Sequence, residues 1–131
     1  MTHTVVLCTG GFDPLHPGHI DYLNEAKSLG DVLAVGINSD SWLTRKKGKA
    51  FLPQDDRVRI LENLKTVDHC ILFNDDDDTA IQAIYNVKFM YPDSQIIFAN
   101  GGDRLPDNTP EQEVFKNDSQ VRFEFGVCVR F

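Results

Sequence analysis

The sequence predicts an α/β domain built on a doubly wound parallel sheet of five strands in the order 3-2-1-4-5. Three observations lead there. Four short runs, TVVLCT, VLAVGI, HCILF and IIFA, are apolar for most of their length rather than alternating, as expected of strands covered on both faces, and VRFEF follows as a fifth strand. Segments with helical spacing lie between them, which is the βα alternation of a parallel sheet. Glycine-rich turns, GGFDPLHPGH and NGGD, follow the first and fourth runs, and such sheets bind ligands beyond the carboxyl ends of their strands, where right-handed crossovers reverse.

Each element has its own signal. Thr4 to Thr9 is β-branched and apolar and stops at Gly10-Gly11, a buried strand. From about Pro17 to Leu29, Ile20, Leu23, Ala26 and Lys27 recur at helical spacing, and Gly30 marks a C′ stop. Val32 to Ile37 is the second strand. Asn38 to Leu52 is polar and basic without a sustained period, which predicts a loop with at most one helical turn. Pro53 then opens a helix from about Gln54 to Thr66, with Val58, Leu61 and Leu64 on one face. His69 to Phe73 is the third strand. The run Asp75 to Asp78 stands where carboxylates complement a helix dipole, and that helix is expected to reach Met90, before Pro92. Ile96 to Ala99 is the fourth strand. Thr109-Pro110-Glu111-Gln112 reads as a capping box opening a short helix to about Asn117. Val121 to Phe125 closes the sheet.

A chain of 131 residues with 41% hydrophobic content suits one core, so a single domain over residues 1–131 is expected. The formal charge of -7 argues against a general nucleic-acid or membrane-surface binder, which needs a basic face. An anionic ligand would need a local basic cluster, and the two candidates are Arg45-Lys46-Lys47-Gly48-Lys49 and Arg57-Val58-Arg59. Cys8, Cys70 and Cys128 are odd in number, far apart and without a CxxC pair, so neither a disulfide framework nor a zinc ribbon is indicated. With no leader-like or bilayer-spanning run, the expectation is a cytoplasmic chain.

After the first strand, Gly10 and Gly11 let the backbone approach a ligand closely. A helix starting near Pro17 or Gly18 offers N–H groups and positive dipole to an anion. Two imidazoles one turn apart, His16 and His19, can add Nε2–H donors. Together these make a phosphate cradle. Two capping or core histidines are the rival reading. Zinc would need a third protein ligand, for which Asp13 is the nearest candidate, and GxGxxG is absent. Asp75 to Asp78 reads as a solvated helix start rather than a metal site, Trp42 as packing, Phe12 and Tyr22 as core, and His69 as structural.

The stretch GGFDPLHPGH resembles the HxGH signature of the nucleotidyltransferase superfamily. With INSD, KGK, DDRVRILENLKTVD and NGGD following in order, it looks like the cytidylyltransferase branch, similar to glycerol-3-phosphate cytidylyltransferases and to the adenylyltransferase domain of ADP-heptose synthases. The resemblance runs from Val5 to about Val127. It implies a Rossmann-like nucleotidylyltransferase α/β/α fold and transfer of CMP or AMP from CTP or ATP to a small phosphorylated polyol or sugar, with release of pyrophosphate. Gly10, Gly11, Phe12 and Gly18 would contact the nucleotide through the backbone. Asp13 resembles the acid that fixes the loop, and His16 and His19 the pair on the triphosphate. Lys46 resembles the lysine that meets the phosphates of both substrates, with Lys47 and Lys49 as alternatives in the same loop. Arg57 would reach the substrate phosphate, and Asp103 would lie near base and ribose. The resemblance further implies Mg²⁺ carried by the triphosphate, no dedicated protein metal site, no nucleic-acid or membrane partner, and a homodimer.

In this family the fifth strand runs on into a Ser/Thr-rich motif and a last helix that bind the triphosphate opposite the histidines. Here FGVCVRF agrees at Gly126-Val127 and departs from Cys128 onward, with Arg130 a candidate substitute. The expectation is a domain lacking that motif and helix and binding nucleotide weakly. The alternative function is a nucleotide- or phosphate-binding module with little or no turnover.

Overall fold

The structure, a computed structural model, describes residues 3–101 and 109–128. Ten elements follow in order: β1 (Thr4–Gly10), α1 (Pro17–Lys27), β2 (Val32–Ile37), α2 (Asp40–Lys47), α3 (Gln54–Glu62), β3 (His69–Leu72), α4 (Ile81–Met90), β4 (Gln95–Ala99), α5 (Pro110–Phe115) and β5 (Val121–Glu124). The strands form one sheet in the order β3-β2-β1-β4-β5. Every pairing is parallel, with Val5 beside Val32 and Ile96, and Ala34 beside His69. The predicted sheet order and all five strands are therefore present. No helix among the described residues is long and apolar enough to cross a membrane.

Side-chain alternation along β1 divides the core into two layers. Val6 and Cys8 face Tyr22, Leu23, Ala26 and Leu61 of α1 and α3, whereas Val5 and Leu7 face Ala83, Ile84, Val87 and Phe115 of α4 and α5. All four β1 residues are fully buried, and each such aliphatic side chain contributes about 1.5–3 kcal/mol. This two-sided covering is what makes continuous apolar runs read as parallel strands.

Four local expectations are corrected. The segment from Asn38 to Leu52 contains an eight-residue helix, α2, rather than a loop with one turn. Ser39 caps it by accepting the Trp42 N–H, and Gly48 at φ 92 closes it in the left-handed conformation glycine tolerates best. Helix α3 stops at Glu62, short of Thr66, with Asn63 as C-cap. Asp75 to Asp78 forms a turn ahead of α4, whose first residue is Ile81. The N–H of Ala80 is instead met at 2.7 Å by the Glu111 carboxylate, a buried acceptor delivered from α5. Thr109 stands at the N-cap of α5 with Pro110 at N1, yet makes no side-chain cap bond, and the helix ends at Phe115.

Candidate active site

The turn after β1 is shaped for close approach. A Cβ on Gly11 would stand 2.8 Å from Leu43 Cδ2, so any larger residue here would have to displace the end of that side chain. Phe12 follows at φ 50 and turns its ring into the core, where it meets His19 edge-on at 5.2 Å. The Phe12 side chain is thus in the core, while the residue also lines the cleft.

His16 and His19 form a capping box made of imidazoles. His16 Nδ1 accepts the Gly18 N–H at 3.1 Å, and His19 Nδ1 accepts the His16 N–H at 3.1 Å. Because each Nδ1 is an acceptor, each neutral ring carries its proton on Nε2. The ring centroids lie 3.8 Å apart, with the two planes tilted by 32°. Burial, and then the neighbouring His16, push the His19 pKa from 6.5 down to about 4, so this ring is neutral at pH 7. The capping role posed above is present in both rings, whose Nδ1 atoms serve the helix end, and both residues also line the cleft. One expectation changes. The Gly18 N–H is committed to His16, so the helix start is not the open row of donors expected for an anion.

A second layer holds this turn in place. Asp13, whose side chain is fully buried, accepts the Phe51 N–H at 2.6 Å and the Leu52 N–H at 2.7 Å. Burial would raise its pKa, but those two bonds, with the charges of Lys47 and Arg57, hold it below the usual 3.8. Lys47 Nζ donates to the Asp13 carbonyl at 2.7 Å. The Asp13 carboxylate thus joins the turn after β1 to residues Phe51 and Leu52. Arg57 was expected at a substrate phosphate, and its placement is different. Its fully buried guanidinium donates to the carbonyls of Leu52 (3.0 Å), Gly11 (2.9 Å) and Asn38 (2.7 Å) and to Asp40 Oδ1 (2.6 Å). Four bonds to the protein leave it a brace beneath the glycine turn rather than a group facing a ligand.

Helix α2 carries the basic residues. Asp75, buried despite its place in an acidic run, accepts from Asn38 Nδ2 (3.0 Å), the Ser39 N–H (2.8 Å) and Ser39 Oγ (2.7 Å), anchoring the helix start. Sequence reasoning missed this residue, although Ser39-Asp40 at one end and Gly48 at the other were available as cap signals. Lys46 Nζ lies 4.8 Å from the Trp42 ring centroid, a cation–π contact at the surface. A cleft of about 410 Å³ brings Gly11, Phe12, Asp13, His16, His19 and Lys46 together, along with Pro14, Trp42, Leu43 and Lys47. Gly10 lies at the strand end, where its carbonyl accepts the Asn38 N–H at 2.9 Å. Asp103 and Arg130 lie outside the described residues. Among the described residues, no three His, Cys, Asp or Glu side chains are grouped to hold a metal ion.

Comparison with known proteins decides what this arrangement belongs to. Residues 7–126 match the family model described as cytidylyltransferase-like. The chain belongs to the cytidylyltransferase-like family of nucleotidyltransferases. Within it, the chain is 42% identical over 124 residues to the bifunctional protein HldE of Nitratiruptor and 38% identical over 124 residues to that of Helicobacter pylori. Each match covers 93% of this chain and 25% of the relative, so the chain spans about a quarter of the length of the curated relatives it matches. Among solved structures, the lipopolysaccharide core biosynthesis protein from Thermoplasma volcanium is similar at TM-score 0.68 and 30% identity, over 95% of this chain and 94% of that one. NadR in complex with NR, at 17% identity and TM-score 0.62, covers 99% of this chain and 37% of its own length and shares the fold.

Proposed function

We propose that this domain transfers CMP or AMP from CTP or ATP to a small phosphorylated polyol or sugar, of the glycerol 3-phosphate or heptose 1-phosphate type, releasing pyrophosphate. The observation that carries the reading is the pair of Nε2-protonated imidazoles and the Lys46 ammonium lining one cleft beside the glycine turn. Identity of 42% to a bifunctional HldE supports the sugar-phosphate type.

The chemistry needs little else. An acceptor phosphate oxygen is already anionic and attacks the α-phosphorus without a general base. A new P–O bond forms, the bond to the bridging oxygen breaks, and pyrophosphate leaves with the electron pair. The protein's task is to hold two polyanions in line and meet the growing charge. His16 and His19 donate Nε2–H bonds to phosphate oxygens, and Lys46 lies between triphosphate and acceptor. Mg²⁺ arrives with the triphosphate as part of that substrate. Asp103 is assigned to base and ribose.

The acting unit is proposed to be a two-fold homodimer, the commonest soluble oligomer, and three free cysteines fit a reducing cytoplasm. Sedimentation at micromolar concentration tests the dimer. Pyrophosphate release from Mg-ATP or Mg-CTP with a panel of sugar and polyol phosphates tests the activity. Nucleotide affinity without release would favour a binding module instead.

A further inference from the structure

Beside the histidine-lined cleft lies a smaller one, of about 240 Å³, lined by Trp42, Arg45, Lys46 and Asp78. The two share Trp42 and Lys46, so the Lys46 ammonium stands on their common border. Their walls differ in chemistry. The first cleft has donors for phosphate, whereas the second combines an aromatic ring, a guanidinium and a carboxylate.

We propose that this second cleft is the subsite for the hydroxylated carbon chain of the phosphorylated acceptor, with Asp78 and Arg45 binding its hydroxyls and Trp42 its C–H face. The inference rests on the reading that Lys46 meets the acceptor phosphate. With a triphosphate over the histidines, an acceptor whose phosphate is at Lys46 has its other end directed away from them, into this space.

The groups are set for that task without a ligand. Arg45 is held by three bonds, from Nε to Asp78 Oδ1 at 3.0 Å, from Nη2 to the same oxygen at 2.9 Å, and from Nη2 to the Asp75 carbonyl at 2.8 Å. All of Arg45's bonds to Asp78 use Oδ1, so Oδ2 of this 65% exposed side chain has no hydrogen-bond partner among the described residues. A guanidinium and a carboxylate locked edge to edge offer a donor and an acceptor a few ångströms apart, which matches adjacent hydroxyls. An aromatic ring beside them takes the apolar face of a sugar or polyol. The cleft is smaller than the roughly 300–1,000 Å³ of drug-sized sites, as a short polyol requires. Asp78 has φ 65, a conformation Asn adopts about as readily as Asp, so Asp78→Asn keeps the backbone, removes the charge and puts an NH2 donor in place of one carboxylate oxygen.

Trp42 is the only tryptophan of the chain and lines both clefts, so its fluorescence reads binding on either side of Lys46, and the variants separate the two. Glycerol 3-phosphate, a hexose 1-phosphate and inorganic phosphate are titrated separately into the wild-type chain, Asp78→Asn and Lys46→Ala. The expected result is that Asp78→Asn weakens both polyol phosphates by roughly tenfold, as loss of charge-assisted bonds does, and leaves inorganic phosphate unchanged. Lys46→Ala weakens all three. Equal affinities for polyol phosphate and inorganic phosphate in the wild-type chain, or curves unmoved by Asp78→Asn, would overturn the subsite. A thermal-shift titration with Mg-ATP and Mg-CTP runs alongside and reads the triphosphate site alone, so failure of the nucleotide reading and failure of the subsite are told apart.

Discussion

The backbone N–H of His16 donates to Nδ1 of His19 at 3.1 Å while the Gly18 N–H donates to Nδ1 of His16, and the two bonds together tie both imidazoles to one tautomer and one helix end. Alanine at either position would remove both a cap and a ring. Substitutions that keep the cap are the cleaner test. Asn is among the best N-cap residues, and Gln at N3 completes a capping box. His16→Asn and His19→Gln are therefore expected to keep the melting temperature close to wild type and to lower nucleotidyl transfer by about a hundredfold each, as loss of a transition-state donor does. Pyrophosphate release measured beside circular-dichroism melting checks this, and unchanged rates would make both rings purely structural.

The depressed pKa of His19 has a sign that can be read in solution. Its folded value of about 4 lies below the ordinary 6.5, so the unfolded chain binds more protons between them. The stability it contributes is fully present above pH 6.5 and is lost as pH falls toward 4. The slope approaches about 1.4 kcal/mol per pH unit at most. Asp13 and Asp75 lie below their ordinary 3.8 because hydrogen bonds outweigh burial, and their contribution is lost only as pH falls below that value. Urea melts from pH 7 to 3 should show the first loss in the wild type and not in His19→Gln. A bound triphosphate favours the protonated ring, so nucleotide affinity should tighten as pH falls from 7 toward 5.

Arg57 should behave as a structural residue. Arg57→Met leaves the carbonyls of Gly11, Leu52 and Asn38 without their donor and is expected to cost on the order of 3 kcal/mol, a fall of roughly 10 °C in melting temperature. A variant of wild-type stability that has lost only acceptor affinity would restore the phosphate role.

The two adjacent lysines of α2 should separate. Lys46 stands over Trp42 at the cleft border, whereas Lys47 is tied to the Asp13 carbonyl. Lys46→Ala is expected to raise the KM for the phosphorylated acceptor by about tenfold or more with a smaller change in kcat. Lys47→Ala should act mainly through the loop, lowering thermal stability slightly. The reverse pattern in steady-state kinetics would move the substrate contact to Lys47.

How far the sequence could be read follows from where each signal resides. Strand identity was legible because burial on both faces forces an unbroken apolar run, as in Val5 to Cys8 and Ile96 to Ala99. The histidine pair was legible through its spacing against the glycine turn. Helix α2 was not, because only Leu43 of its eight residues is buried and no apolar stripe marks it. Asp75 and Arg57 were misread for a shared reason. A charged residue is ordinarily exposed, and only the fold shows that their neighbours, Ser39 and Asn38 for one and three backbone carbonyls for the other, satisfy them inside. The roles of Asp103 and Arg130 lie outside the described residues.

Helix α2 is fastened at its two ends from different strands, by Asp75 beyond β3 at Ser39 and by Asp13 beyond β1 at Lys47. Its ends and its outer face consequently have separate duties. The fastened ends fix the span between lysine and histidines on which the proposed transfer depends. The side chain at 45 lines only the smaller cleft, where the proposed subsite would select the guest. A redesign that keeps Ser39, Trp42 and Lys47 while varying position 45 is expected to exchange the guest and leave the chemistry of transfer as it stands.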